Sequence, residues 1–571
     1  MRERAKDTYE YWLNQNLKDI ELTKELKAIS QDAKAIEERF YKDLEFGTGG
    51  LRGIMGVGTN RMNRYTVAKA TQGYCDYLKK GYLGEIHVAI AYDSRLNSEY
   101  FAGTAAGVFA ANGIKVHIYP ELMPTPLLSF AIRQLYCNGG IVITASHNPA
   151  EYNGYKVYGK DGCQITNRTA KEIQKEISQV DTFADVEWIP FEKALAEGMV
   201  VYIGSETVDA FIHAVSKETL CEAGMKKDIS IVYTPLNGAG GYCVRRALKE
   251  NGFLNVSVVK EQEMPDGHFP TCPYPNPEVE EAMALGIRDA ERLDCDLLLA
   301  TDPDCDRVGI GVKSGSKYVL LSANEIGMLL LEYICKRRNA LGNMPDRPLM
   351  IKTIVTIDMA ERIASEYGVD TVNVLTGFKY IGEQIGFLEE KGEEERFIFG
   401  FEESYGYLSG SYVRDKDGVG ASLLICEMAA YYKNQGKGLK EVLDDLYARY
   451  GYCLNTLHCY TFRGMEGVKK MAGIMSEFRT AAPNQIGGLR VTSVSDYKES
   501  LIKYMDGRKM NIELPKSDVM KFRLEGNASM VVRPSGTEPK LKLYFSICAD
   551  TKEGAEQLEM KVREEIEKRI L

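Results

Sequence analysis

No stretch of this sequence approaches the ~20 consecutive apolar residues of a membrane-spanning helix. No run of lysine and arginine stands out either. Basic side chains number 71 and acidic ones 81, for a formal net charge of −10 over 571 residues. A nucleic-acid surface needs a basic stripe, so that class of function loses its footing. The 13 cysteines include no Cys-x-x-Cys pair. Their odd number and scatter predict reduced thiols of a cytoplasmic protein. The charged start, Met1 to Asp7, lacks the apolar core of a signal peptide, which agrees with that location. There is no Gly-x-x-x-x-Gly-Lys-Ser/Thr sequence, which argues against a P-loop kinase. There is no Gly-x-Ser-x-Gly elbow, which weakens an α/β-hydrolase reading.

What is present is material for several cores. The length suggests about three to five domains, and hydrophobic residues at 44% with charged residues at 27% are ordinary for a globular chain. Residues 1 to about 45 carry a helical pattern (Tyr9, Trp12, Leu13, Leu17, Ile20). The glycine-dense Phe46–Gly53 follows, read as a loop able to wrap a phosphate through bare amides. Its spacing is wrong for a dinucleotide fingerprint, and no strand precedes it.

A pattern then recurs three times. An apolar strand (His87–Tyr92) leads through helices at 97–112 and 125–136 and a strand at Ile114–Tyr119 to the strand Ile141–Thr144. The second copy runs from Ile229–Tyr233 through helices near 239–251 and 277–293 to Asp296–Ala300. The third runs from Leu349–Ile354 to Phe397–Phe399. This alternation predicts α/β units with mostly parallel pairing. Each copy ends in a polar loop beyond a strand's carboxyl end, where such sheets bind ligands. From about 451 the texture changes to strands at Tyr452–Phe462 and Met530–Val532, with helices near 465–479 and 553–570. That predicts a smaller α+β domain. The expected domains are 1–205, 206–322, 323–450 and 451–571.

The loops carry the chemistry. Asp302, Asp304 and Asp306 bring three carboxylates within five residues, a mutual repulsion that a divalent cation relieves. Hard oxygen ligands favour Mg²⁺. An EF-hand needs Gly at the sixth position and Glu at the twelfth, which are Arg307 and Lys313 here, so that reading fails. Arg307 suits a phosphate beside the metal. Ser146, with His147 beside it, is presented where the strand Ile141–Thr144 ends. A serine hydroxyl is a weak nucleophile and needs activation or modification; His147 and Lys156 are the nearby candidates. Arg533 to Lys540 places two cations, two hydroxyls and a glycine between prolines, which suits a phosphate clamp. Glu402, Glu403 and Ser404 offer hydrogen bonds to sugar hydroxyls.

Thr144–Pro149, Asp302–Arg307, Phe401–Gly406 and Arg533–Lys540, in this order over almost the whole chain, resemble the four motif loops of the α-D-phosphohexomutase family. The resemblance implies three similar mixed α/β domains plus a C-terminal α+β domain around a central cleft. It implies that Ser146 is phosphorylated, and that Mg²⁺ is held by Asp302, Asp304, Asp306 and a phosphoserine oxygen. Arg52 and Arg307 match arginines near the transferring phosphoryl group, and Lys156 and His147 match acid/base candidates. Thr376, Gly377 and Lys379, with Lys416, match substrate-contacting loops; Glu402 and Ser404 match the sugar loop. Arg533, Ser535, Gly536 and Thr537 match the phosphate loop. The Glu-Glu-Ser sugar loop resembles the glucose-type version rather than the Glu-Met-Ser version of mannose-accepting relatives. Gly47–Arg52 is similar to a branch containing phosphopentomutases, which leaves the sugar open.

The expected reaction moves phosphate between C1 and C6 of glucose through phosphoserine and glucose 1,6-bisphosphate, the latter also the expected activator. The expected partner is a small sugar phosphate, with neither nucleic acid nor membrane. The competing readings are a phosphomannomutase or phosphopentomutase of the same family, a Mg²⁺-dependent sugar phosphatase and a non-catalytic sugar-phosphate sensor.

Overall fold

Two of the loops singled out above turn between antiparallel strands, and those hairpins organise the first part of the chain. The computed structural model describes residues 2–47, 49–222, 224–462, 464–535 and 540–570. Gly536 and Thr537 of the expected phosphate loop lie outside them. The chain divides into two units. One comprises Met1–Leu321, Phe378–Phe397 and Ser404–Asn434; the other comprises Ser322–Gly377, Ile398–Glu403 and Gln435–Leu571.

In the first unit a six-stranded sheet has the spatial order Gly50–Ile54, Tyr152–Gly159, Gly139–Ile143, His87–Tyr92, Lys115–Ile118, Val200–Tyr202. The last four strands pair in parallel. Tyr152–Gly159 pairs antiparallel with both of its neighbours. Parallel pairings outnumber antiparallel ones here, as the strand–helix alternation predicts, and the two antiparallel pairings make the sheet a mixed one. The sequence reading took Phe46–Gly53 for a loop, whereas Arg52 lies on a strand, paired with Gly154. The glycines there let two backbones approach: a Cβ on Gly50 (φ 146°) would stand 1.8 Å from Tyr155 O.

The helices covering this sheet are apolar on their buried sides. Ser98–Ala111 buries Phe101, Ala102, Ala105, Val108 and Phe109. Arg64–Gly81 starts from an Asn63–Thr66 capping box, which satisfies amides left without helical partners. The expected N-terminal helical region is three helices, Arg2–Leu13, Ile20–Ala28 and Ala33–Phe40, whose own small core gathers Tyr9, Trp12, Leu26 and Phe40.

A second sheet of the same unit has the order Lys317–Leu321, Val308–Ser314, Leu297–Thr301, Ile231–Thr234, Val256–Val258. Its last three strands are parallel and its first two antiparallel. Val308 faces Thr301 across the Asp302–Arg307 turn.

In the second unit Leu349–Thr353 pairs in parallel with Asp370–Val374, and Phe397–Glu402 lies on its other side. Glu402 therefore ends a strand rather than opening a loop. An antiparallel sheet follows, including Tyr452–Thr461, Met520–Leu524, Ser529–Pro534 and Lys540–Ala549. The helices Gly464–Thr480 and Lys552–Ile570 share its core with Met475, Phe478, Val562 and Ile566. Here one expectation about thiols fails. Cys453 and Cys548 face each other across two strands and are joined as a disulfide; the other eleven cysteines are free. Among the described residues no helix is long and apolar enough to cross a membrane.

Candidate active site

Ser146 sits in the turn between Gly139–Ile143 and Tyr152–Gly159. Its φ is 53°, the left-handed region that a residue with a Cβ enters at a cost of about 1–2 kcal/mol. The turn holds it there locally: Ser146 N donates to Thr144 Oγ1 at 2.8 Å. The side-chain hydroxyl is buried and donates to Asp302 Oδ2 at 2.7 Å. His147 Nδ1 lies 3.2 Å from the same oxygen. The serine loop of the first strand–helix copy and the acidic turn of the second copy, both within the first unit, are thus in direct contact.

The acidic turn folds around one of its own carboxylates. Asp302 Oδ1 accepts from the backbone amides of Asp306 and Arg307, each at 3.1 Å. Cys305 has a φ of 53°. All three aspartates are buried, with one carboxylate oxygen of each within 4.8 Å of the others. Lys156 Nζ donates to Asp304 Oδ2 at 2.7 Å and to Asp306 Oδ2 at 3.3 Å. Lys416 Nζ lies 3.1 Å from Asp306 Oδ2 and 2.9 Å from Asp415 Oδ1. Thr125 Oγ1 donates to Asp304 Oδ2 at 2.9 Å. Arg307 Nε stands 3.6 Å from Asp306 Oδ1.

The protonation directions follow from this arrangement. Burial raises the Asp302 pKa well above the usual carboxylate range, and Asp304 and Asp306 push it the same way. Burial opposes the charge on Asp304, but Lys156 outweighs it and holds that pKa low. Burial likewise opposes the charge on Lys156, and Asp304 with Asp306 hold its pKa above the ordinary value. Burial, then the charges of Arg307 and Arg52, put His147 well below its usual value, so the imidazole is neutral.

The donor set fits Mg²⁺. Every candidate ligand is a hard carboxylate oxygen, and Asp304 Oδ1 and Asp306 Oδ1 are buried with no hydrogen-bond partner among the described residues. Buried polar atoms left this way cost free energy unless something binds them.

Arg52 is exposed beside the serine turn and donates to Asn148 Oδ1 at 3.1 Å. Lys379 also belongs to this unit, buried, with its Nζ donating to Asn167 Oδ1 at 2.8 Å. Lys416 Nζ lies 5.7 Å from the centre of the Phe378 ring, next to Lys379 in the chain. Ser404 stands at the start of this unit's last segment. Thr376, Gly377, Glu402, Arg533 and Ser535 belong to the second unit. There Ser535 N donates to Lys540 O at 2.7 Å, closing the base of the expected phosphate loop. Glu402 is buried, while Thr353 and Thr356 hydroxyls donate to Glu403 Oε2 at 3.0 and 3.3 Å.

Sequence reasoning overlooked Thr125, and reached Asp415 only as part of the substrate-contacting stretch Arg414–Gly418. Thr125 opens a helix behind Pro124, an ordinary helix start that gives no sign of the carboxylate it touches. Asp415 stands beside Lys416 and accepts from Tyr158 Oη at 2.7 Å; its neighbour in the chain was the available signal.

A buried serine set against three carboxylates, with Lys156 and Lys416 on the carboxylates and Arg52 and Arg307 beside them, is an arrangement chemically suited to phosphoryl transfer. Family models agree along the chain. The match to phosphoglucomutase/phosphomannomutase alpha/beta/alpha domain I covers residues 43–183, domain II 209–315, domain III 322–450 and the C-terminal domain 497–565. A phosphoglucomutase of Staphylococcus saprophyticus is 36% identical over 506 residues, 88% of this chain and 90% of that protein. One of Staphylococcus aureus is 36% identical over 538 residues, 93% and 95% of the two chains. A crystal structure of parafusin, a phosphoglucomutase of Paramecium, aligns with a TM-score of 0.66 at 18% identity, over 93% of this chain and 94% of that one; that likeness speaks to the fold. The chain belongs to the phosphoglucomutase/phosphomannomutase family, and it is an enzyme, a phosphosugar isomerase.

Proposed function

We propose that this enzyme interconverts glucose 1-phosphate and glucose 6-phosphate through a phosphorylated Ser146 and a glucose bisphosphate. The observation that carries the reading is the 2.7 Å contact between Ser146 Oγ and Asp302. It favours a serine that stores a phosphoryl group beside a cation site. The proposal takes the chain as four domains, 1–205, 206–322, 323–450 and 451–571.

In the forward half-reaction the O6 hydroxyl of glucose 1-phosphate attacks the phosphorus on Ser146. The O6–P bond forms and the P–Oγ bond breaks, giving the 1,6-bisphosphate. The departing Oγ takes a proton, and the hydroxyl loses one. The bisphosphate then turns over, and in the second half Ser146 Oγ attacks the C1 phosphorus: the P–Oγ bond forms, the P–O1 bond breaks, Oγ loses its proton and O1 takes one, leaving glucose 6-phosphate and phosphoserine. His147 Nδ1, 3.2 Å from Oγ, is the proton carrier for the serine. Lys156, engaged by Asp304 and Asp306, acts as a fixed cation. Arg52 and Arg307 face the phosphoryl oxygens and favour the charge spread over them. Asp302, Asp304 and Asp306, with a phosphoserine oxygen, would hold Mg²⁺; when bound, the ion adds positive charge where the reaction is limited by repulsion. Lys379, Lys416, Thr376 and Gly377 contact the substrate, Glu402 and Ser404 hold sugar hydroxyls, and Arg533, Ser535, Gly536 and Thr537 clamp the non-reacting phosphate. Glucose 1,6-bisphosphate serves as activator by phosphorylating Ser146.

The test is turnover of glucose 1-phosphate with Mg²⁺ and a trace of bisphosphate. Glucose 6-phosphate is the expected product. Release of inorganic phosphate indicates a phosphatase, and no turnover a sensor. Intact mass should show a phosphate adduct that disappears in Ser146→Ala.

A further inference from the structure

The Ser146 amide is held by Thr144 Oγ1, and the carbonyl side of the same left-handed residue needs its own partner. We infer that Arg95, in the turn Asp93-Ser94-Arg95 beyond the strand His87–Tyr92, is the positioning residue for the Ser146 turn, and that Phe269 of the second strand–helix copy keeps it in place. The inference rests on the phosphoserine reading of Ser146.

Arg95 is buried. Its Nε and Nη2 both donate to Ser146 O, at 3.2 and 2.6 Å. Nη2 also donates to Asn148 O. Nη1 donates to Pro149 O at 2.8 Å and to Tyr152 O at 3.1 Å. A guanidinium has five N–H donors in a rigid fork, and here all are spent on four carbonyls, three in the Ser146 turn and one at the start of the strand that leaves it. This has two consequences. The strained Ser146 peptide is fixed from its own carbonyl, so its orientation is over-determined in the way a strained functional residue requires. The carbonyls are also gathered on a buried cation, away from where a phosphate dianion would repel them.

Arg95 is itself held from three directions. Its backbone amide donates to Asp93 Oδ1 at 2.9 Å, and its Nε lies 3.6 Å from Asp93 Oδ2. Asp93 Oδ1 also accepts from Ser98 Oγ at 2.7 Å. On the remaining side the Phe269 ring lies 4.9 Å from the guanidinium carbon, in cation–π range. Phe269 is buried and has a φ of 46°. Two residues earlier, Gly267 packs so tightly on the 94–96 backbone that a Cβ there would stand 2.4 Å from Leu96 N. The second strand–helix copy, which carries the three aspartates, thereby presses on the residue that orients the serine of the first copy. Arg95 touches neither the serine hydroxyl nor any group proposed to contact substrate, so its role is positioning.

Arg95→Lys separates this role from simple charge balance. Lysine keeps the cation opposite Asp93 but offers three donors on a flexible stem. The expected result is a folded enzyme with KM for glucose 1-phosphate within about threefold of wild type and kcat lowered roughly 30- to 300-fold, as a misplaced reacting group gives. Phosphoserine forms more slowly from the bisphosphate, followed by intact mass. Phe269→Leu should lower kcat about 3- to 10-fold with KM unchanged. An Arg95→Lys enzyme with kcat within about twofold of wild type overturns the inference. If that variant does not fold, Phe269→Leu decides: unchanged kcat overturns it. Wild-type enzyme that fails to make glucose 6-phosphate instead removes the functional reading, independently of either variant.

Discussion

Replacing Lys156 with methionine removes a buried cation while keeping most of its stem. In the wild type the ammonium bonds Asp304 at 2.7 Å and Asp306 at 3.3 Å. The two losses are unequal. Asp306 keeps Lys416 at 3.1 Å, whereas among the described residues Asp304 keeps no ion pair within 4 Å, retaining the Thr125 hydroxyl at 2.9 Å and the more distant charge of Lys416. One uncompensated buried carboxylate is therefore the correct count, not two. Breaking a buried pair by deleting one partner costs about 3–5 kcal/mol. The pair is fully buried on the Asp304 side and 11% exposed on the lysine side, so water screens it little. The loss should appear in EDTA as a lower urea midpoint at unchanged slope. Mg²⁺ should narrow the gap between variant and wild type, because a bound cation takes over the compensation and binding adds stability by mass action. The pH dependence has a definite sign. Asp304 is depressed by Lys156, so the stabilisation exists above the unfolded carboxylate pKa and is lost as pH falls towards the folded one. In the variant that dependence should flatten. A Lys156→Met protein that loses less than about 1 kcal/mol in EDTA would refute this view of the site.

Four further outcomes follow from other residues. Burial lowers the Lys379 pKa to about 8, so the residue loses its charge above that pH; kcat/KM should fall there, and the limb should move to higher pH in Lys379→Arg. A Cβ on Gly418 would stand 2.5 Å from Cys305 O, so Gly418→Ala should push on the acidic turn, lowering Mg²⁺ affinity measurably by calorimetry and stability by about 1–3 kcal/mol. Asp304→Asn should lower kcat by roughly 10³-fold or more while the purified protein keeps its far-ultraviolet circular dichroism; full activity would exclude the aspartates from the reaction. Turnover of glucose, mannose and ribose 1-phosphates side by side should rank glucose first, and a higher kcat/KM for either other sugar would reverse the reading of Glu402 and Ser404.

Much of this was open to reading in the chain, for physical reasons. Strands buried on both faces leave apolar runs, so His87–Tyr92 has the same bounds in sequence and structure. The three aspartates announce themselves because repulsion at that spacing needs a remedy. Antiparallel partners are harder to see. Tyr152–Gly159 contains Asn153, Gly154, Lys156 and Gly159, polar or small residues that read as turn. Packing and pairing make them tolerable in a central strand. Gly154 passes close to Thr144 O, where a side chain would not fit, and Lys156 compensates carboxylates. Arg95 was invisible for the opposite reason. Its sequence context is an ordinary polar turn, and its partners are backbone carbonyls, which no side-chain pattern records. The Cys453–Cys548 pairing likewise depends on register across strands 95 residues apart in sequence.

The placement of left-handed residues ties the loops of the first unit into one device. Ser146, Cys305 and Tyr405 have φ values of 53°, 53° and 64°, and each lies in the polar loop that closes one copy of the strand–helix pattern. None is glycine, so each conformation costs free energy that neighbours must offset. The neighbours are in every case another loop or an element beside it. Ser146 is bound to Asp302 and held by Arg95. Cys305 O accepts from the amide of Gly418 at 3.1 Å, where the helix Gly418–Lys433 begins, and the aspartate before it bonds Thr125. Tyr405 O accepts from the amide of Val308 at 3.1 Å, at the end of the acidic turn. The acidic turn is thus gripped from the first copy on one side and from the third on the other. A change that frees one of these backbones should be felt at the other two, so substitutions at Thr125, Gly418 and Val308 should be non-additive in kcat although none of these residues is placed against the substrate.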